Sequence, residues 1–266
     1  MTSLIVLPLV AAVQAQDFSE TDKALAPAEE TSTALSAEFG GALATGNTDY
    51  VTFNGAVTGS RTWGANKVGA VAGVNYGLSR VDQDGDGKLS DGERAFDRAQ
   101  TAQRVFVEGR YDRFLGEASS LYVLGGAFQD PFAGYRLRVH EQVGYSRQLI
   151  KSDTTGLVVE LGVDVAHEFF VEGVDPATAL VPAARGLVGF NHKFNERVEL
   201  SDRFEVYENV LDFRDLRILN TAALTAKLSD TFSLKLSHAL IYDNVPVEGF
   251  RKMDQTTLVT LVASIF

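Results

Sequence analysis

The sequence contains no cysteine. A disulfide scaffold, a thiolate metal site and a cysteine nucleophile are therefore excluded, while export is permitted. Basic residues are the scarcer charged class: 24 Lys and Arg stand against 35 Asp and Glu, a formal net charge of −11. Proteins bind a phosphate backbone through Lys and Arg that neutralise it, so nucleic acid is not an expected partner. Long apolar runs are missing as well. Although 45% of the residues are hydrophobic, none beyond the extreme N-terminus gathers into the roughly 20 apolar residues that a membrane-spanning helix requires. No composition break divides the remainder, and one domain is the simpler organisation.

The N-terminus differs from the rest. Leu4 to Val13 is a short apolar stretch, followed by small residues at Val13-Gln14-Ala15. This pattern reads as a secretory signal over residues 1–15, cleaved after Ala15, although Met1-Thr2-Ser3 lacks the usual Lys or Arg. Residues 16–33 are rich in Ala, Glu, Asp, Thr and Pro without periodicity, the composition of a flexible linker. The folded domain is expected over residues 34–266.

Within that domain the dominant signal is alternation with a period of two, which sends successive side chains to opposite faces of a strand. Leu157, Val159, Leu161, Val163 and Val165 share one face, with Glu160, Gly162, Asp164 and Glu168 on the other. Leu216, Ile218, Ala222 and Leu224 oppose Arg217, Thr221, Thr225 and Lys227, and Phe232, Leu234, Leu236 and Leu240 oppose Ser233, Lys235 and Ser237. Such runs exceed the five or six residues common in soluble sheets and match the tilted strand of about ten that crosses a bilayer. Charge confined to one face suits a barrel with apolar side chains toward lipid and polar ones toward a lumen.

Turn signals come in two alternating sets. Short ones lie at residues 63–66, 116–119, 151–154, 195–197 and 229–231. Longer or more irregular ones lie at 81–97, 129–134, 172–179, 211–215 and 244–254, with a tight turn at Gly46-Asn47-Thr48-Asp49. Between them the chain has room for about twelve strands, so the expected fold is all-β, a closed antiparallel transmembrane barrel with short periplasmic turns and longer external loops. Aromatic residues near strand ends should form two interfacial girdles: Trp63, Phe114, Tyr122, Phe194, Phe232 and Phe266 at the short-turn end, and Tyr50, Tyr76, Phe128, Tyr135, Phe169, Tyr207, Phe213 and Tyr242 at the other. The last strand ends at Phe266, which resembles the C-terminal signal read by the barrel-assembly machinery; Leu258 and Val262 fit that signal and Ser264 departs from it. Outer-membrane lipid and that machinery are the expected partners.

Gly109-Arg110-Tyr111-Asp112-Arg113-Phe114-Leu115, the run Gly126 to Arg138, Gly144-Tyr145-Ser146 and the Gly46-Asn47-Thr48 turn together resemble the YdiY-like family of salt-induced outer-membrane proteins, whose function is unknown. The resemblance extends from about Ala34 to Phe266. It implies an outer-membrane barrel and carries over no catalytic residue.

One segment has the spacing of a binding site. Residues 82–93 fill the twelve positions of an EF-hand calcium loop, with Asp82, Asp84 and Asp86 at positions one, three and five and Gly87 at the sharp turn. Lys88 would offer its carbonyl at seven, Ser90 its hydroxyl or a water at nine, and Glu93 a bidentate carboxylate at twelve. A strand-like segment, Val74 to Arg80, precedes this loop where a helix normally enters. Weak Ca2+ binding is expected, in the roughly 10−4 to 10−3 M range of extracellular modules.

The inward face mixes signs: Glu160, Asp164, Glu168, Glu199 and Glu205 against Arg136, Arg138, Arg185, Lys193, Arg203, Lys227 and Lys235. Such charges line a wet channel or pair into a plug, and sequence leaves both open. A lipid hydrolase is the enzymatic alternative, with a His and a Ser two residues apart on one strand. None of His140, His167, His192 and His238 has Ser at that spacing, so no catalytic residue is assigned and no enzyme is expected. The remaining alternative is a soluble secreted β-barrel around a small apolar ligand, which calls for shorter strands and a polar outer face.

Overall fold

The computed structural model describes residues 28–44, 49–80, 90 and 98–265. Among these, the chain forms twelve strands: β1 (Ala28–Ala44), β2 (Tyr50–Gly64), β3 (Asn66–Ser79), β4 (Ala99–Phe114), β5 (Ser119–Asp130), β6 (Tyr135–Lys151), β7 (Thr155–Phe170), β8 (Thr178–Lys193), β9 (Val198–Asn209), β10 (Leu216–Lys227), β11 (Phe232–Asp243) and β12 (Met253–Ser264). A 3-10 turn, Pro131–Ala133, joins β5 to β6. Every strand pairs antiparallel with its sequence neighbour, and β1 meets β12 from Ser36 opposite Ser264 to Phe39 opposite Leu261, which closes the barrel. The expected all-β closed antiparallel barrel of about twelve strands is the fold observed.

The alternation in sequence becomes an inside-out burial pattern. On β7, Leu161 is 71% exposed and Val163 50%, whereas Glu160 is 2% exposed and Asp164 1%. Water would penalise that arrangement, since exposed aliphatic surface costs roughly 25 cal/mol per Å2. Lipid reverses the sign, and the outward belt of Leu and Val on β4 to β12 is the surface a bilayer covers.

Two expectations need correction. The first strand begins at Ala28, inside the segment read as linker, because β1 runs along β2 past an irregularity, with Ala28 opposite Gly64. Register along a neighbour, which polar composition does not reveal, orders these residues. Second, Phe114, Tyr122, Tyr135 and Tyr207 are buried in the interior instead of standing in interfacial girdles. Trp63, Tyr76, Phe194, Phe213 and Phe232 do point outward, whereas Phe266 lies outside the described residues. The signal peptide read over residues 1–15 also lies outside them.

The β7–β8 loop and the β6–β7 turn sit at opposite ends of the barrel. A protease site inserted between Asp175 and Thr178 should therefore be cut from one side of a membrane and one between Ser152 and Thr154 only from the other. Cleavage of both by protease added to sealed proteoliposomes with uniform insertion would contradict this topology.

Candidate functional site

Eight strands make a barrel just narrow enough for side chains to fill, so twelve leave a space that aliphatic residues do not reach across. Long polar residues from β4 to β9 occupy it. At the centre Glu160 on β7 accepts hydrogen bonds from Arg110 Nη2 at 2.7 Å and Arg185 Nη1 at 2.8 Å. Arg110 also makes two 2.8 Å bonds to Asp112, while Glu205 accepts from Arg185 Nε at 2.9 Å and from Arg203 Nε at 2.6 Å. Three guanidinium groups thus face three carboxylates, and the cluster is neutral. Tyr122 stitches it together: its hydroxyl accepts from Arg185 Nη1 at 2.7 Å, and Arg110 stacks 4.2 Å above its ring.

Glycine makes room for that ring. A Cβ on Gly144 would stand 2.5 Å from the Tyr122 hydroxyl oxygen, and one on Gly162 would stand 2.6 Å from it. Both glycines face inward on adjacent strands and are paired with each other, so Tyr122 lies flat against the wall. The cluster continues toward the long-loop end through His140, whose Nδ1 is 3.2 Å from Asp164 and whose Nε2 is 3.6 Å from Glu108. Beyond it Arg217 on β10 pairs with Glu168, Asp215 and Asp243. Elsewhere on the wall Lys235 of β11 reaches Glu38 of β1 at 3.0 Å, across the intervening β12.

The middle of the lumen is lined by buried side chains. Val71, Glu108, Arg110, Tyr122, Glu160, Arg185 and Glu205 on one side and Asn54, Ala223, Ala239, Thr256 and Thr260 on the other are each at most 7% exposed. A cavity of ≈690 Å3 lies on the short-turn side, reached by Glu38, Lys193, Glu199, Lys227 and Lys235. Another of ≈360 Å3 lies on the long-loop side. The two share no lining residue.

Of the charges expected inside, Glu160, Asp164, Glu168, Arg185, Glu205 and Arg203 are buried there, Arg138 and Lys235 join them, and Lys193, Lys227 and Glu199 edge the short-turn cavity. Arg136 is the exception. A bulge between Tyr135 and Leu137 leaves it exposed, since an extra residue in one strand breaks the alternation. Arg110, Asp112, Tyr122 and His140 complete the cluster without any sequence motif that groups them. Their signal was present as inward positions of β4, β5 and β6, but nothing local pairs them.

His140 hydrogen-bonds with Asp164 and Gln142, His192 with Thr155 and His238 with Thr257. Of the residues expected to bind calcium, Asp82, Asp84, Asp86, Lys88 and Glu93 lie outside the described residues, and Ser90 is exposed. The stems of that loop are described. Arg80 and Arg98 both pair with the buried carboxylate of Asp49, at 3.1 and 2.6 Å, drawing the two ends of the 81–97 segment together.

The family model described as a protein of unknown function, DUF481, matches residues 37–265. No curated protein matches the chain significantly. Among solved structures the chain is similar to the NanC porin, with 12% identity, a TM-score of 0.55 and coverage of 88% of this chain and 100% of that one. It is also similar to the translocator domain of the autotransporter NalP from Neisseria meningitidis, with 11% identity, a TM-score of 0.44 and coverage of 89% and 88%. At such identities the likeness to NanC is one of fold, a closed barrel spanning the same length of chain.

Removing one partner from a buried ion pair leaves an uncompensated charge and costs about 3–5 kcal/mol. Glu160→Ala, which strands both Arg110 and Arg185, should lower the unfolding free energy of the lipid-embedded protein by an amount in that range. Glu160→Ala combined with Arg185→Leu should recover part of the loss in urea titrations followed by heat-modifiable gel migration.

Proposed function

This chain belongs to the DUF481 family, matched over residues 37–265, and from that premise we propose that it is an outer-membrane barrel held closed at rest by its own lumen side chains. It acts as a narrow, gated envelope pore and not as an open sieve. The observation that carries this reading is the buried mid-lumen layer around Glu160 and Arg185. Passage of a solute requires those pairs to part. The apolar outer belt supports a place in lipid, and the porin-like fold supports the outer membrane. Assembly there proceeds through the machinery that reads the C-terminal strand ending at Phe266.

The segments that resemble the YdiY-like salt-induced proteins support a role in the response of the envelope to salt. A resting plug suits an envelope exposed to changing salt. Buried ion pairs are screened far less than exposed ones, so ionic strength alone leaves the Arg110–Glu160–Arg185 cluster paired. In planar bilayers the wild type should be silent or show rare brief openings at both low and high salt, whereas Glu160→Ala with Arg185→Ala should give sustained steps. Steady conductance from folded wild-type protein would sink the closed-barrel reading.

The reading includes a Ca2+ ion bound by Asp82, Asp84, Asp86, Ser90, Glu93 and the Lys88 carbonyl. The spacing supports it, because hard dications take six to eight oxygens. The Asp49 clamp supports it as well, since it pins both ends of the loop. Strands that satisfy their own backbone bonds in lipid do not need the ion. Titration calorimetry at millimolar Ca2+ should therefore show binding that Glu93→Gln abolishes, with protection of the Lys88 region from proteolysis and almost no change in barrel melting. Identical heats from wild type and Glu93→Gln would reduce the loop to an acidic turn.

A further inference from the structure

The long-loop cavity has a composition that the closed-barrel reading does not use. Its wall carries Phe128, Phe132 and Tyr135 from the β5–β6 hairpin, and its side toward the exterior carries Val247 and Phe250 from the β11–β12 loop. These two pieces come from opposite walls, since β5 and β11 stand six places apart in a ring of twelve. The loop nevertheless reaches the hairpin. Gly134 holds a left-handed conformation with φ of +89°, and a Cβ there would stand 2.9 Å from Val247 and 3.0 Å from Phe250. The β11–β12 loop thus lies across the barrel mouth and roofs the cavity.

Polar groups beneath the roof are incompletely matched. Arg104 bonds Asp130 through Nη1 at 3.3 Å, but its buried Nε finds no acceptor among the described residues. Arg138 has its Nε 3.5 Å from Glu168, a carboxylate also held by Arg217, and that nitrogen lacks a hydrogen bond too. Both guanidinium groups flank one ring, with Arg104 4.1 Å and Arg138 5.9 Å from the centre of Phe128. Both arginines line the cavity, so their guanidinium groups offer an anion seated there charged donors beside an aromatic surface. Asp130, Asp243 and Asp254 also border the space, which disfavours a second negative charge on the occupant.

We propose that this cavity is a binding site for a small aromatic monocarboxylate, its carboxylate between Arg104 and Arg138 and its ring against Phe128, Phe132 and Phe250. A volume of ≈360 Å3 lies at the small end of ligand pockets and suits a molecule of that size. Its floor includes His140 and Tyr207, which contact Glu108 and Glu205 of the mid-lumen layer at 3.6 and 2.9 Å, so the occupant is held at the outer end. The proposal is independent of whether the plug opens, and conductance does not test it.

The test is equilibrium dialysis of labelled phenylacetate against the full chain in lipid nanodiscs. One saturable site is expected. Unlabelled phenylacetate should compete, whereas phenylacetamide, which keeps the ring and lacks the charge, and acetate, which keeps the charge and lacks the ring, should not. Arg104→Gln and Arg138→Gln should each weaken binding about tenfold, as expected when a charged hydrogen bond is lost. Phe250→Ala, in a loop outside the strand ladder, should weaken it severalfold with the fold intact. Absence of saturable binding in the millimolar range, or equal competition by phenylacetamide, overturns the proposal. The competition uses wild-type protein and decides the matter even if the arginine variants fail to assemble.

Discussion

A strand in lipid has no water to satisfy its backbone, so every edge must be paired. In this molecule that requirement falls on β1 and β12, which meet over the short register from Ser36–Ser264 to Phe39–Leu261. The rest of the architecture follows from the closure. Sequential antiparallel neighbours and termini at one end are its simplest solution, and the strands of 12 to 17 residues extend beyond the bilayer crossing at either end. Leu, Val and aromatic residues dominate the outward face, although Arg61, Arg113, Glu141 and Arg147 are exposed there, and the charges of β7 turn inward.

Inward charge creates the second problem, and the lumen layer resolves it. Three arginines and three carboxylates around Glu160 pair at 2.6 to 2.9 Å, so the middle of the barrel is held by polar contacts where a soluble protein would use an apolar core. The arrangement depends on space. Gly144 and Gly162 let Tyr122 lie against the wall, and Tyr122 in turn receives Arg185 and supports Arg110. Under the proposed gated-pore role, closure and barrel stability would rest on the same side chains, and any opening would break buried ion pairs.

The two ends of the barrel differ because their connections differ. Short turns leave the ≈690 Å3 cavity open among lysines and glutamates, whereas at the other end the β11–β12 loop covers a smaller one. Asp49 gathers Arg80 and Arg98 at the stems of the 81–97 segment, and the β11–β12 loop crosses to Gly134.

Strand identity, the alternation of short and long connections, the strand count of twelve and the inward placement of Glu160, Asp164, Arg185 and Glu205 were all legible in the sequence. These are local properties: a period of two and a turn residue need only their neighbours to be read. The spacing of residues 82–93 belongs to the same class. Tertiary structure alone decided that Arg110 meets Glu160 fifty positions away, that Tyr122 and Tyr207 turn inward and do not join a girdle, that a bulge expels Arg136, and that the β11–β12 loop roofs a cavity lined by Arg104 and Arg138. Alternation tells which face a side chain takes. Which inward side chains then meet is set by the stagger and curvature of the closed barrel, and those exist only once β12 has found β1.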